Sequence, residues 1–328
     1  MELQTLFFRR LRERIPSHLS AENELTKLLN ISLDDAFRLM RCLSPLSLEQ
    51  AEKISTHYKI ALDNIRPQAP GTIPFRYDAI NYNAASIDDH FELILREFSH
   101  INLYGTNKMM YAASDLPVFP LFQFPALAAF KLFYWAKYVY NLPAFAETKL
   151  SLRHIPTEIL QRGERTWKQY LKIPSVEIWS SNCMDNVLRE IMVMWEHGEF
   201  ETRADAHKVC DELCHFLDQI EGQAKHGKKF HPYMPLPPKE NYTLYYSEIG
   251  ITNNTLLIQS ETATSAYISH NVLNFLHTDH EIFCLQMQRW FHNVIANAEL
   301  ISQANTDLRH RFFDRLRENV AYVKEQLK

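Results

Sequence analysis

Apolar residues recur three and four positions apart through the first 66 residues, and small polar residues punctuate them. Leu6, Phe7, Leu11 and Ile15 share one face of a helix predicted over residues 3–14, the 3.6-residue period of an amphipathic helix. Ser20 can cap a second helix running through Leu29. Ser32 with Asp35 three residues on opens a third through Arg41, and Ser47 with Gln50 repeats the device for a fourth ending near Tyr58. In each case a cap oxygen can accept from a backbone N–H that has no partner inside the helix. Residues 61–65 complete five short helices, and residues 67–74, with three prolines and a glycine, read as a linker.

Behind the linker the pattern predicts a helix over 88–98, then one over 126–140 that is apolar nearly all round, as a buried helix should be, with Pro125 at its first position. A short strand-like run, VEIWS, precedes helices over 184–196 and 204–224. A second Pro-rich segment, 231–241, marks a candidate sub-boundary. After it, YTLYYSEI, TLLIQSE and SAYIS are β-branched and aromatic runs that predict a small β-meander near 242–269. Helices over 281–300 and 307–326 close the chain. The expected fold is mainly α: a five-helix lambda-repressor-like domain at 1–66, the linker at 67–74, and a large helical α+β region at 75–328 for sensing or oligomerisation.

Composition narrows the function classes. With 46% hydrophobic and 23% charged residues the chain reads as an ordinary globular protein, and only 7 glycines argue against Gly-rich phosphate loops. The net charge of -4 means that any nucleic-acid affinity must come from a local surface. Five cysteines without framework spacing, and an N-terminus without the order of a signal peptide, lead to the expectation of a cytoplasmic protein. The longest apolar region, 118–142, is interrupted by Pro120, Pro125, Lys131 and Lys137 and falls short of the roughly 20 residues that cross a membrane. P-loop, GxGxxG, HExxH and GxSxG patterns are all missing, so neither an enzyme nor a cofactor is expected. His207, Cys210 and Cys214 share a helix face, but the apolar residues between them and the lack of a paired CxxC argue for core over metal. Phe124, Phe130, Tyr134, Trp135 and Tyr138 are dense enough to line a pocket for an apolar effector, and equally suited to ordinary core.

The second and third helices, with the tight turn Asn30-Ile31 between them, carry the logic of a helix-turn-helix, in which the third helix enters the major groove. Ala36, Phe37 and Met40 have the spacing of its buried side. Asp34, Asp35, Arg38 and Arg41 then fall on the outer face, with Ser32 and Ser44 completing the candidate DNA-binding set. A guanidinium can donate two parallel hydrogen bonds to a guanine edge or a phosphate. Arg9, Arg10, Arg12 and Arg14 could add phosphate contacts, although the first 66 residues hold ten Lys/Arg against nine Asp/Glu.

The run NISLDDAFRLMRCLSPLSLEQAEKISTHYKIALDNI resembles the repressor-type (XRE-like) helix-turn-helix of large transcriptional regulators found in Bacteroidetes. Ser32, Ala36, the aromatic Phe37, Arg38, Arg41, Leu46-Ser47 and Leu62-Asp63 carry the likeness; Leu39, Cys42 and Leu43 stand where the pattern has Arg, Gly and Glu. Segments around 114–139, 173–182, 223–230 and 266–291 extend it over most of the chain. The resemblance implies a DNA-binding transcriptional regulator with an uncharacterised C-terminal region and names no reaction. The expected partners are operator duplex DNA, a second copy of the chain, and an unidentified small-molecule or protein effector. A homodimer is expected because one small head touches too few bases for specificity, and the stripe Leu308, Phe312, Leu316, Val320 and Val323 could form its interface. The alternative is a sensor or interaction module whose head no longer binds DNA.

Overall fold

A computed structural model describes residues 2–16, 19–58, 60, 62, 72–77, 108–154, 157–260, 263–271 and 274–328. The N-terminal helices follow the predicted pattern closely: α1 (Glu2–Arg14), α2 (Ala21–Leu29), α3 (Leu33–Met40) and α4 (Leu48–Tyr58). They enclose a core of their own, built on Phe7, Phe8, Leu11, Leu25, Leu39, Met40 and Ile54. Apart from Leu62, the predicted fifth helix at 61–65 lies outside the described residues, as do the linker residues 67–71 and the predicted helix at 88–98.

The rest of the chain is built around a sheet. In chain order it comprises β1 (Lys108–Ala113), α5 (Val118–Leu121), α6 (Pro125–Tyr134), α7 (Thr157–Tyr170), β2 (Ser175–Ser180), α8 (Asp185–Glu196), α9 (Arg203–His226) and β3 (Tyr242–Ser247). Then come β4 (Thr255–Gln259), β5 (Thr264–Asn271), β6 (Asn274–Thr278), α10 (Glu281–Ala296), β7 (Glu299–Leu300) and α11 (Thr306–Gln326). The seven strands found among the described residues lie in the order β6-β5-β4-β1-β2-β3-β7. β1, β2 and β3 are parallel, joined by helical crossovers, and the remaining pairings are antiparallel.

Alternation along the strands divides the core into two layers. Met109, Tyr111, Trp179, Leu244 and Leu256 face the large layer that also holds residues of α6, α8, α9 and α11. Met110, Ala112, Ile178, Leu257 and Ala266 face the other side, where Cys284 and Phe291 of α10 cover them. A sheet clothed by helices on both faces is the expected arrangement for parallel strands.

This architecture overturns the expectation of a mainly α protein with a small β-meander near 242–269. Among the described residues the sheet is mixed, has seven strands and organises the C-terminal region. β3 and β4 do not pair with each other: β3 lies beside β2 and β7, and β4 beside β1 and β5. In the N-terminal region the described residues give four helices, and four packed helices do not by themselves identify a lambda-repressor-like helix-turn-helix domain. A second correction concerns α11. Phe312, Leu316, Val320 and Val323 are buried within the chain's own core, so the stripe assigned to a dimer interface is already covered. Arg309 on the same helix is buried too, and donates to the carbonyls of Ile301 and Ala304.

Candidate nucleic-acid interface

The α2–turn–α3 unit is fixed by its ends. Ser20 Oγ accepts from the N–H of Asn23 at the start of α2, and Asn30 closes it in the left-handed region at φ 53°, which Asn tolerates better than most residues. Ser32 Oγ then accepts from Asp35 N–H at 3.1 Å and donates to Asp35 Oδ2 at 2.7 Å. One of the two acidic residues at the start of α3 is therefore committed to the cap. At the other end Leu43 N–H donates to Arg38 O at 2.8 Å, with Cys42 at φ 56°, the Schellman arrangement.

α3 is anchored through Ala36, Leu39 and Met40, which are buried. Sequence spacing put Phe37 on that side, but Phe37 is 40% exposed while Leu39 is 4% exposed. Asp34, Asp35, Arg38 and Arg41 are exposed as expected. The Arg41 guanidinium stands 6.0 Å from the Phe37 ring centroid, a distance at which the ring face can still steady a cation. Ser44 is half-buried, and its carbonyl accepts from Gln4 Nε2 at 2.8 Å. The same Gln4 nitrogen donates to Leu39 O, and its oxygen accepts from Leu46 N–H. Gln4 thus staples the segment after α3 onto α1, a role that an isolated polar residue in a helix does not advertise.

Glu22, on the neighbouring helix, has its carboxyl held below the usual range. The Ser20 hydroxyl contributes most, then a backbone hydrogen bond; these outweigh burial, and Arg12 and Arg41 add to them. The arginines of α1 divide. Arg9 and Arg12 are exposed, whereas Arg10 pairs with Glu13 at 3.1 Å and Arg14 pairs with Asp279 of the sheet region. Two of the four are thus directed to internal partners.

The aromatic set lies elsewhere. Phe130 stacks on Phe200 at 6.1 Å and Phe124 meets Phe216 edge-on at 5.9 Å. Trp135 is buried beside Lys131, whose ammonium stands 5.2 Å from its ring. Tyr134 and Tyr138 are half-buried, 5.1 Å apart. Phe124, Phe130 and Trp135 belong to the large core layer, with both tyrosines packed against it.

Buried charges concentrate in that layer. Lys131 Nζ lies 2.5 Å from Glu190 and 3.6 Å from Asp115. Burial raises Glu190 to about 7, Lys131 opposes the rise and Asp115 reinforces it. Glu177 accepts from Tyr170, from Ser175 at 3.1 Å, from Trp179 at 3.2 Å and from Tyr242 at 3.3 Å. Lys229 Nζ sits 3.6 Å from the Tyr170 ring centroid, and burial outweighs the attraction of Glu177 to bring it down to about 7.

Among the described residues no group of three His, Cys, Asp or Glu could hold a metal ion. His207 Nε2 lies 3.1 Å from Leu327 O, while Cys210 is buried with its thiol pushed up to about 12, chiefly by burial. No helix among the described residues is long and apolar enough to cross a membrane. Comparison with protein-family models, with curated proteins and with solved structures gave no match.

Proposed function

We propose that the chain is a duplex-DNA-binding transcriptional regulator, in which α3 reads the major groove and the α/β region carries the response to an effector. The supporting observation is the division of α3. Ala36, Leu39 and Met40 fix it to the head, while Arg38 in its last turn and Arg41 at its C-cap stand outward. That combination holds two bidentate donors on a rigid element. Asp34 remains outward as well, and is suited to accept from a cytosine amine. Two copies binding symmetric half-sites would supply the contact count that one head lacks; their contact surface is then something other than the buried face of α11.

The test is selection from a random duplex library, followed by a gel shift of the enriched sequence at two salt concentrations. Wild-type protein is expected to enrich one sequence and to lose affinity as salt rises. Arg38→Glu with Arg41→Glu should abolish the shift while leaving the circular-dichroism spectrum unchanged. Failure of folded wild-type protein to enrich any sequence would refute the proposal, and would leave the interaction-module alternative, in which Arg14 ties the head to the sheet region through Asp279.

A further inference from the structure

A strongly basic part of the described molecule lies far along the chain from α3. Segments 162–172 and 225–241 hold eight Lys/Arg against two carboxylates, in a chain whose 35 basic residues are outnumbered by 39 acidic ones. They come together around an open groove of about 1040 Å³, between the end of α7 and the Pro-rich segment before β3. Arg165, Lys168, Lys172 and Lys239 are among its lining residues, the first three spaced three and four apart in sequence. All four are exposed. Lys168 pairs with Glu164 at 2.7 Å and Lys172 reaches Gln169 at 3.3 Å, contacts of exposed side chains that a stronger anion displaces at little cost.

The groove also offers apolar and aromatic surface. Leu171, Phe230 and Met234 line it. At its edge Tyr233 is 92% exposed, its ring 5.8 Å from that of His231, which in turn lies 5.0 Å from the buried Trp167. A row of cations beside an exposed ring is the combination by which single strands are held: the cations follow the phosphates and the ring stacks on a splayed base. A duplex would offer this surface its phosphates but no base face. An acidic peptide would use the cations and leave the ring idle.

We propose that this groove binds single-stranded nucleic acid, with phosphates on Arg165, Lys168, Lys172 and Lys239 and a base stacked on Tyr233. The site is separate from α3 and does not depend on the duplex reading.

The experiment is fluorescence anisotropy of the full chain with a labelled oligothymidylate of about twelve nucleotides, within the usual span of such sites. Saturable binding is expected, weakening by about 50-fold between 50 and 200 mM salt if four phosphates are neutralised. Lys168→Glu with Lys172→Glu should weaken binding at least tenfold. Tyr233→Ala should weaken it about fivefold or more without changing the salt slope. Arg38→Glu with Arg41→Glu should leave this binding unchanged, even where it abolishes duplex binding. No binding at 50 mM salt by folded protein would overturn the proposal. So would loss of binding in the Arg38/Arg41 variant, an unaffected Tyr233→Ala, or equal competition by polyglutamate of the same length.

Discussion

At the scale of single residues, Cys42 carries the most information. It ends α3 in the left-handed region at φ 56°, where a side chain crowds the backbone. This is the conformation that glycine adopts at a helix end without strain, here held by a residue with a side chain. Cys42→Gly is therefore expected to stabilise the head by about 1 kcal/mol, net of its weak contact with Thr5; urea unfolding followed by exchange of α3 amides would measure it. Leu39 is the complementary case. It faces the core, so an Arg at this position would not reach the outer face of α3. Lys229 supplies a pH test. Its folded pKa of about 7 lies below its ordinary 10.5, so the unfolded chain binds the extra proton between those values and stability should rise with pH across that window. The rise from pH 7 to 9 should be on the order of 1–2 kcal/mol in chemical denaturation, and Lys229→Met should flatten it.

At the scale of elements, what the sequence made legible was local. The caps at Ser20, Ser32 and Ser47 all form, because capping needs only residues three apart. β1 was not legible: after Lys108 it reads MMYAA, an apolar run without alternation. Such a run is what a strand buried on both faces produces, and periodicity alone does not distinguish it from a buried helix. The same limit explains why three strand runs read as one meander, since pairing partners far apart in sequence leave no local mark. Phe37 is exposed for a related reason: Phe37 and Leu39 flank the Ala36–Met40 stripe on either side, and packing selects Leu39. The capping of α6 is likewise non-local. Phe124 at its N-cap offers no side-chain acceptor, and Glu212 of α9 instead accepts from Ala126 N–H at 2.7 Å and Leu127 N–H at 3.1 Å. Glu212→Ala should cost about 2 kcal/mol of stability by loss of two charge-assisted bonds at a buried helix start. Glu212→Gln, which keeps an acceptor oxygen, should cost less; equal losses in thermal denaturation would show that the carboxylate is not acting as a cap.

At the scale of the whole molecule, the head and the α/β region differ in how they hold themselves and each other. The head's buried cluster contains head residues alone, while both layers of the sheet region are built without it. The described contact between them includes the ion pair of Arg14 with Asp279, beside a cleft lined by Arg9, Arg10 and Glu281. A polar junction between two separate cores can shift without unfolding either, which is the behaviour expected of small inter-domain interfaces. Burial by itself would raise the Asp279 carboxyl, but Arg14, then Arg76, His277 and Arg10, hold it below its ordinary 3.8. The sign follows: the pair stabilises docking above the ordinary carboxyl value, and that stabilisation is lost as pH falls through the lowered folded value. Asp279→Asn at pH 7 should therefore loosen α1 by about 1–3 kcal/mol. Hydrogen exchange, corrected for intrinsic rates, should show roughly tenfold or greater loss of protection in α1 with β1, β2 and β3 unchanged. Uniform loss across head and sheet would mean that the two cores unfold as one unit and that this contact belongs to a single cooperative fold. A loss confined to the head would instead make the Arg14–Asp279 pair the point at which a change in the α/β region could reach α3.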